Sequence, residues 1–559
     1  MNKIIECVPN ISEGRNTDII KQVADVVHTV EGVKLLDIDP GATTNRTVIT
    51  FVGEPEAVCE AAFLLVKKAQ ELIDMRYHHG DHPRFGATDV CPLIPVANIT
   101  MEEVVVYARK LAKRIGEELE IPAFCYEYAA FEQKRRNLAS CRAGEYELLA
   151  DRITTDDWKP CFGPNIWSEK VAKSGAVAVG ARDFLLAVNY NLNTTSTRRA
   201  NAIAFDVREK GRPKREGGKI VKDENGKDIM IPGTLKGTKA IGWYIDEYGI
   251  AQVSMNITNI NASPLHICFD EVSDKAAKRG IRVSGVEIVG LVPKKVLIDA
   301  GKYYLAKQQR SLGVDEAELI KIAVKSMGLD DLKPFKAEEK IIEYLIEDKK
   351  NRLIDMTCKG FANETASESP APGGGSISAY VGSLGAALAT MVANLSSHKP
   401  GWDERWEEFS KVAEAGQVVK DELLLLVDED TNAFNRIMDA FSLPKKTEND
   451  KAKRTSAIEE ATKYAIEVPY RTLCKSFEVF ELCSAMIEKG NPNSVTDAAV
   501  GVVCAKAACI GAYLNMKINA SSLQDRAFAE DILGRGEALV KRAEELEKSC
   551  IAKVIEQIS

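Results

Sequence analysis

The chain has 559 residues, 45% of them hydrophobic and 28% charged, which is too long for a single core and implies roughly three or four domains. A net charge of −8 argues against a general nucleic-acid binder. The 13 cysteines include no CxxC pair and the start, MNKIIECVPN, is no signal peptide, so reduced thiols in a cytoplasmic protein are expected.

Hydrophobic patterning predicts a strand at residues 3–8, a helix at 16–30, strands at 33–39 and 46–52, and a long helix at 56–75. A strand at 89–96, a helix at 101–119 and a strand at 122–128 follow. The opening βαββαβ order is that of the ferredoxin-like arrangement. The order then recurs: a strand-like run at 176–191, a helix at 198–208, a hairpin at 239–246 and 251–258, a helix at 264–278 and a strand at 282–291, with helices to about residue 327. Two α+β units, 1–178 and 179–328, are expected to enclose a cleft lined by the Gly- and Pro-rich segment 158–175. The polar run 208–233 reads as a solvated β-ribbon, or as a basic arm for an anionic ligand.

Periodicity stops at LDDLKPFK, marking a linker at 329–336, and 337–559 reads as an all-α bundle. Residues 376–395 (SISAYVGSLGAALATMVANL) carry no charge over about the length of a membrane span, yet are rich in Gly, Ala and Ser. A small-residue helix packed inside the bundle is expected instead, with no membrane partner.

Three of the six histidines fall in HHGDHPRFGATDVCPLIPV. His78, His79 and His82, with Asp81 and Arg84, form a titratable loop shaped by Gly80, Pro83 and Gly86 and feeding a buried strand. Three readings stand at this point: a metal site, a structural role, and acid/base catalysis by one imidazole. HxxxH on a Gly/Pro loop is not the helical HExxH pattern. Asp37 and Asp39, at the end of a neighbouring strand, are placed to orient and charge-balance an imidazole.

Two features stand out in the helical half. PGGGS (Gly373, Gly374, Gly375) opens a helix whose free N–H groups suit an anion or ring, and it equally suits a flexible linker. In 419–441 the apolar stripe runs Val419, Leu423, Leu426, Phe434, Ile437, Phe441, and Asp430 sits within it. Its neighbours Asp428 and Glu429 are expected to be solvated. A carboxylate on a buried face is either a polar pair fixing helix register or an acid/base group of raised pKa.

CVPNISEGR, DIDPGATTNRTVITFVG, the histidine segment and VGARDFLLAVNYNL, in that order, resemble the glutamate formimidoyltransferases over about the first 325 residues. The resemblance implies His82 as catalytic base and a folate site starting at Gly163–Pro164 and running through Asn165 to Gly175. The sequence carries a few extra residues there (NIWSEKVAKSG). The implied substrates are N-formimino-L-glutamate and tetrahydrofolate. One imidazole of near-neutral pKa serves both proton transfers, with Asp39 in support. Arg15, Arg46 and Arg84 are candidates for the glutamate carboxylates, or ordinary ion pairs.

PAPGGGS, LVDED, LPK and GNPNSVTDAA resemble the formimidoyltetrahydrofolate cyclodeaminase domain from about residue 337 to the end, and the family's catalytic aspartate falls on Asp430. Lys445 and Lys506 are candidates for the folate tail, or surface lysines. The joint resemblance implies a bifunctional folate enzyme of histidine breakdown. It would use tetrahydrofolate as co-substrate, polyglutamylated, with no metal and no nucleic-acid partner, as a homo-oligomer. The rival is a non-catalytic folate-binding scaffold of the same fold.

Overall fold

The computed structural model describes residues 3–42, 44–80, 83–346 and 352–559. They fall into two compact units, Met1–Leu297 with Met327–Glu347, and Ile298–Ser326 with Asp348–Ser559. His82 and Asp81 lie outside the described residues.

The first unit opens with β1 (Ile4–Cys7), β2 (Asn10–Ile11), α1 (Thr17–Asp25), β3 (Val33–Gly41), β4 (Arg46–Gly53), α2 (Pro55–Leu72) and β5 (Thr88–Ala97). Then come α3 (Met101–Glu118), β6 (Ala123–Glu127), the short helices α4 (Leu138–Cys141), α5 (Leu149–Arg152) and α6 (Glu169–Ser174), and β7 (Val177–Ala181). In the sheet β4 lies between β3 and the β1–β2 pair, β5 lies on the other side of that pair, and β7 and β6 extend it in parallel. α3 starts at a Thr100–Glu103 capping box and buries Val104, Ala108, Leu111, Ala112 and Ile115, one face at helical spacing. Ile5, Cys7, Ile49 and Phe51 join it in the core, so alternate residues of β1 and β4 point to the opposite face.

The predicted strand 176–191 is two strands in two sheets. β7 is buried at every residue, as an inner strand between parallel neighbours should be. The polar Arg182–Asp183 pair then ends it, and Arg182 N–H turns back to Leu93 O at 3.1 Å. The expected division at 178/179 therefore falls inside β7, and the sheets change only after Ala181.

The second sheet begins with β8 (Leu186–Leu192), followed by α7 (Thr197–Val207). The 208–233 run forms the ribbon strands β9 (Arg212–Pro213), β10 (Arg215–Glu216), β11 (Lys219–Ile220) and β12 (Met230–Ile231), mostly exposed, as the solvated reading holds. Then come β13 (Thr238–Ile245), β14 (Ile250–Ile257), α8 (Leu265–Ala277) and β15 (Val283–Val289). The sheet order is β13-β14-β8-β15, antiparallel throughout.

The helices α9 (Lys294–Lys307), α10 (Glu316–Met327), α11 (Ala337–Lys340) and α12 (Ile342–Ile346) follow. The expected linker at 329–336 and a helical domain from 337 need correction. Leu329, Ile341 and Ile342 are buried, Ile341 bridges Val292, and Ile342 N–H donates to Val292 O at 3.1 Å. These apolar side chains and strand-like bonds hold 327–346 in the first unit, whereas 298–326 clusters with the second.

The second unit continues with α13 (Cys358–Thr365), α14 (Gly374–Ser397), α15 (Trp406–Ser442), α16 (Glu448–Lys489), α17 (Val495–Ala520) and α18 (Arg526–Ile558). α14 and the segment Pro492–Ala520 are long and apolar enough to cross a membrane. Both bury a stripe of small residues against neighbouring helices, and a Cβ on Gly382 would stand 2.5 Å from Ser476 Oγ. α16 carries Pro469 in its interior. A proline there leaves the carbonyl four residues earlier without its helical N–H, and Asn519 Nδ2 fills that place on Ala465 O at 2.6 Å.

Candidate active sites

A cavity of about 300 Å³ lies between the two sheets of the first unit. From one sheet Glu6, Asn10, Asp37, Asp39, Arg46 and Tyr126 line it, and from the other Ala187, Asn256 and Val289. A second cavity of about 310 Å³ shares Asp37, Asp39, Val289 and Gly290 and is closed by Leu329, Lys333, Phe335 and Lys340. The segment expected as a linker therefore forms a wall of the cleft.

Asp89 anchors one end. Fully buried at the head of β5, it pairs through Oδ2 with Arg46 and with Arg142 (2.7 Å) and accepts Phe85 N–H on Oδ1 at 3.1 Å. Arg46 also donates to Asn10 Oδ1 at 3.0 Å, and Arg142 to Pro83 O at 3.2 Å. Two guanidinium groups on one carboxylate leave that cluster with one positive charge in excess, a local setting for an anionic substrate group. Arg182 adds a further cation to the lining.

Asn45 ties three loops together. Its φ of 49° is left-handed, its Oδ1 accepts Gly14 N–H at 2.9 Å, and its Nδ2 donates to His79 O at 2.9 Å. Its own carbonyl lies 2.8 Å from His78 Nε2. A carbonyl only accepts, so Nε2 carries the proton, and Nδ1 is left to accept from Arg84 Nε at 3.4 Å. Burial, with the Arg84 charge adding, pushes the His78 pKa below its ordinary value. His78 is thus a neutral, structural imidazole, and His79 is exposed.

Arg84 is buried and held by Glu147 (2.8 Å) and Glu145 (3.3 Å), so its charge is already matched, in line with the ion-pair alternative. Arg15 is exposed, and its guanidinium donates to Ala42 O at 2.9 Å and meets no carboxylate among the described residues. Asp37 has a raised pKa, through burial first and the Asp39 charge second, while Asp39 itself is exposed. Gly163, Pro164, Asn165 and Gly175 do not line the cavity. The extra residues between them form α6, capped by Ser168 Oγ on Val171 N–H at 3.3 Å. At its end Gly175, with φ +63°, bridges Gly86, and a Cβ there would lie 2.3 Å from Phe85 O. The loop expected to bind folate is therefore stitched to the end of the histidine loop. Among the described residues no three His, Cys, Asp or Glu side chains gather to hold a metal ion.

In the second unit Asp430 Oδ2 accepts Ser376 N–H at 2.9 Å and Ser376 Oγ–H at 3.1 Å, at the first turn of α14. Gly375 makes this possible, since a Cβ there would lie 2.1 Å from Asp430 Oδ1. The triple glycine is a seat for the carboxylate, not a loose linker. Burial raises the Asp430 pKa, against the pull of the two Ser376 bonds. A cavity of about 160 Å³ in front of it is lined by Gly373, Gly374, Gly375, Phe434, Ile437, Asn515 and Asn519.

The predicted stripe holds through Val419, Leu423 and Leu426, then follows Ala433 and Ala440, while Phe434 and Phe441 are exposed. Steps of three and four from Asp430 reach 433, 437 and 440, leaving the two phenylalanines one position off the buried face. Asp428 and Glu429 are not solvated as expected: Asp428 accepts Leu353 N–H at 2.7 Å, and Glu429 accepts the Tyr464 hydroxyl. Lys506 is paired with Glu547 at 3.1 Å, whereas Lys445 is exposed.

A cleft with a clamped arginine pair in an α+β unit, and a half-buried carboxylate facing a helix start in an all-α unit, define a protein with two separate polar sites. The chain matches the family model of the formiminotransferase domain, N-terminal subdomain, over residues 4–182, and that of the formiminotransferase domain over 187–347. It matches the formiminotransferase-cyclodeaminase model over 357–538. It is 41% identical to the formimidoyltransferase-cyclodeaminase of Gallus gallus over 532 residues, 94% of each chain. With that of Dictyostelium discoideum it shares 38% over 562 residues, 100% of this chain and 99% of the other. With the glutamate formimidoyltransferase of Streptococcus pyogenes it shares 41% over 306 residues, 55% of this chain and 94% of that one. The chain belongs to the formimidoyltransferase-cyclodeaminase family, a two-domain transferase followed by a helical domain.

Proposed function

We propose that the chain is a bifunctional folate enzyme of histidine degradation. It moves the formimino group from N-formimino-L-glutamate to tetrahydrofolate, then closes 5,10-methenyltetrahydrofolate and releases ammonia. The observation that carries this reading is that both halves of the family stand in one chain, each with its own polar cavity.

In the first step the N5 amine attacks the formimino carbon, loses a proton, and the departing glutamate nitrogen gains one. We assign that proton traffic to His82, with Asp39 in support and folate reaching toward Gly163, Pro164, Asn165 and Gly175. The charge at Arg46 and Arg142, together with exposed Arg15, supports glutamate binding there. In the second step N10 attacks the amidine carbon, and Asp430 manages the N10 proton or the leaving ammonia. Its raised pKa and its place in the lining of the 160 Å³ cavity favour that role over a register-fixing pair.

The finer readings are proposals too. Each sheet of the first unit contains a βαββαβ core in the strand order 2-3-1-4, which supports a ferredoxin-like class for both lobes. Polyglutamylated tetrahydrofolate as tethered substrate, a homo-oligomer and a cytoplasmic location complete the reading. The test is a coupled assay on the full chain with formiminoglutamate and tetrahydrofolate. Equal amounts of ammonia and methenyl-folate support it, and no product at all refutes it.

A further inference from the structure

Glu6 sits on β1 between Ile5 and Cys7, both of which point into the core. Its side chain therefore takes the opposite face and lines the transferase cavity. It is 4% exposed. Among the described residues no group donates a hydrogen bond to its carboxylate. Buried polar groups are paired almost without exception, and a carboxylate has about four lone-pair positions to fill. A carboxyl that faces a cavity with the Arg182 charge nearby but no protein hydrogen-bond donor is open to a donor that enters that cavity.

Both co-substrates of the proposed transfer present the same complement. The formimino group is an amidine, basic enough to be cationic near neutrality, with two N–H groups in one N–C–N plane. The pterin ring offers the same pair at its N3–H and 2-amino edge. A carboxylate receives such a pair through two parallel hydrogen bonds, as it does a guanidinium.

We propose that Glu6 receives the planar N–C–N donor pair of a transferase co-substrate, either the amidine of the formimino donor or the 2-amino-4-oxo edge of the pterin. This rests on the function proposed above and makes Glu6 a positioning contact rather than the proton carrier. Its surroundings set the pH behaviour. Burial lifts the Glu6 pKa to about 7, Arg182 opposes that shift, and Glu343 on α12 adds to it. Asp37 and Asp39 on β3, Arg46 on β4, Tyr126 on β6 and Arg142 after α4 complete the ionisable lining. The donor pair needs the ionised carboxylate, so affinity rises as pH passes through about 7 and levels only above it.

The test uses the full chain, its Glu6→Gln variant and, should that fold poorly, Glu6→Asp. Dissociation constants for formamidinium chloride and for a tail-less reduced pterin are measured by NMR titration across pH 5.5–8.5. We expect one probe to lose at least about tenfold in affinity in Glu6→Gln and to lose its pH dependence. Loss of formamidinium identifies the donor, and loss of pterin the acceptor. The KM of that co-substrate rises by a similar factor with kcat little changed, while cyclisation of supplied 5-formiminotetrahydrofolate stays intact. Unchanged binding of both probes, with unchanged KM values, overturns the proposal and leaves the function standing. Glu6-dependent probe binding in a chain that transfers no formimino group refutes the function and leaves the contact standing.

Discussion

Asp430 Oδ2 accepts the Ser376 backbone N–H at 2.9 Å and lies 3.1 Å from its hydroxyl, whose one proton it shares with Val427 O at 2.9 Å. The pair joins the middle of α15 to the first turn of α14, at the site proposed for cyclisation. Bonds to the ionised carboxylate lower its pKa while burial raises it. Ser376→Ala removes one of the lowering contacts, so the pKa climbs further. The acid limb of the cyclisation pH profile should move to higher pH, while the profile of formimino transfer stays where it is.

Gly375→Ala tests the seat itself. The added methyl would stand 2.1 Å from Asp430 Oδ1, so the carboxylate or the helix start must shift. Displacing a catalytic group by an ångström costs on the order of a hundredfold in rate. Cyclisation should fall by about that factor with transfer unchanged, and stopped-flow traces should show 5-formiminotetrahydrofolate accumulating.

Asp89→Asn would leave Arg46 and Arg142 without their shared carboxylate in a buried setting. Breaking a buried ion pair costs about 3 kcal/mol or more. The transition of the transferase unit in calorimetry should drop accordingly, and formimino transfer with it.

Glu6 gives a stability prediction with a definite sign. Its folded pKa of about 7 lies above the ordinary glutamate value of 4.5, so its contribution to stability is fully present below 4.5 and is lost as pH rises through 7. Glu6→Gln should match the parent near pH 4 and exceed it at pH 8 by up to about 3 kcal/mol, read by thermal unfolding at the two pH values. A gain at pH 8 beside a loss of substrate affinity would mark a group retained for binding and not for folding.

Much of this was legible along the chain because it rests on local pattern. The helices and strands of both lobes follow from periodicity, and Asp430 stood out as a carboxylate in an apolar stripe. Asp89, Asn45 and Glu6 were not legible, because their roles depend on partners tens of residues away: Arg142, Gly14 with His78, and the cavity wall. A charged residue opening a buried strand was the one available signal for Asp89. For Arg84 the choice between a substrate cation and an ion pair stayed open for the same reason, since Glu145 and Glu147 reach it only in the fold. The run 176–191 misled as one strand because apolar continuity does not tell which sheet a strand joins. Residues 329–336 misled because loss of periodicity marks a wall of a cleft as readily as a linker.

The central claim is that His82 and Asp430 carry separate steps. The direct measurement is a coupled assay on His82→Ala and Asp430→Asn chains, each given formiminoglutamate with tetrahydrofolate and, separately, 5-formiminotetrahydrofolate. The account requires the first to lose transfer yet cyclise the supplied intermediate, and the second to transfer yet release no ammonia. Either variant performing its own step near the parent rate would contradict it.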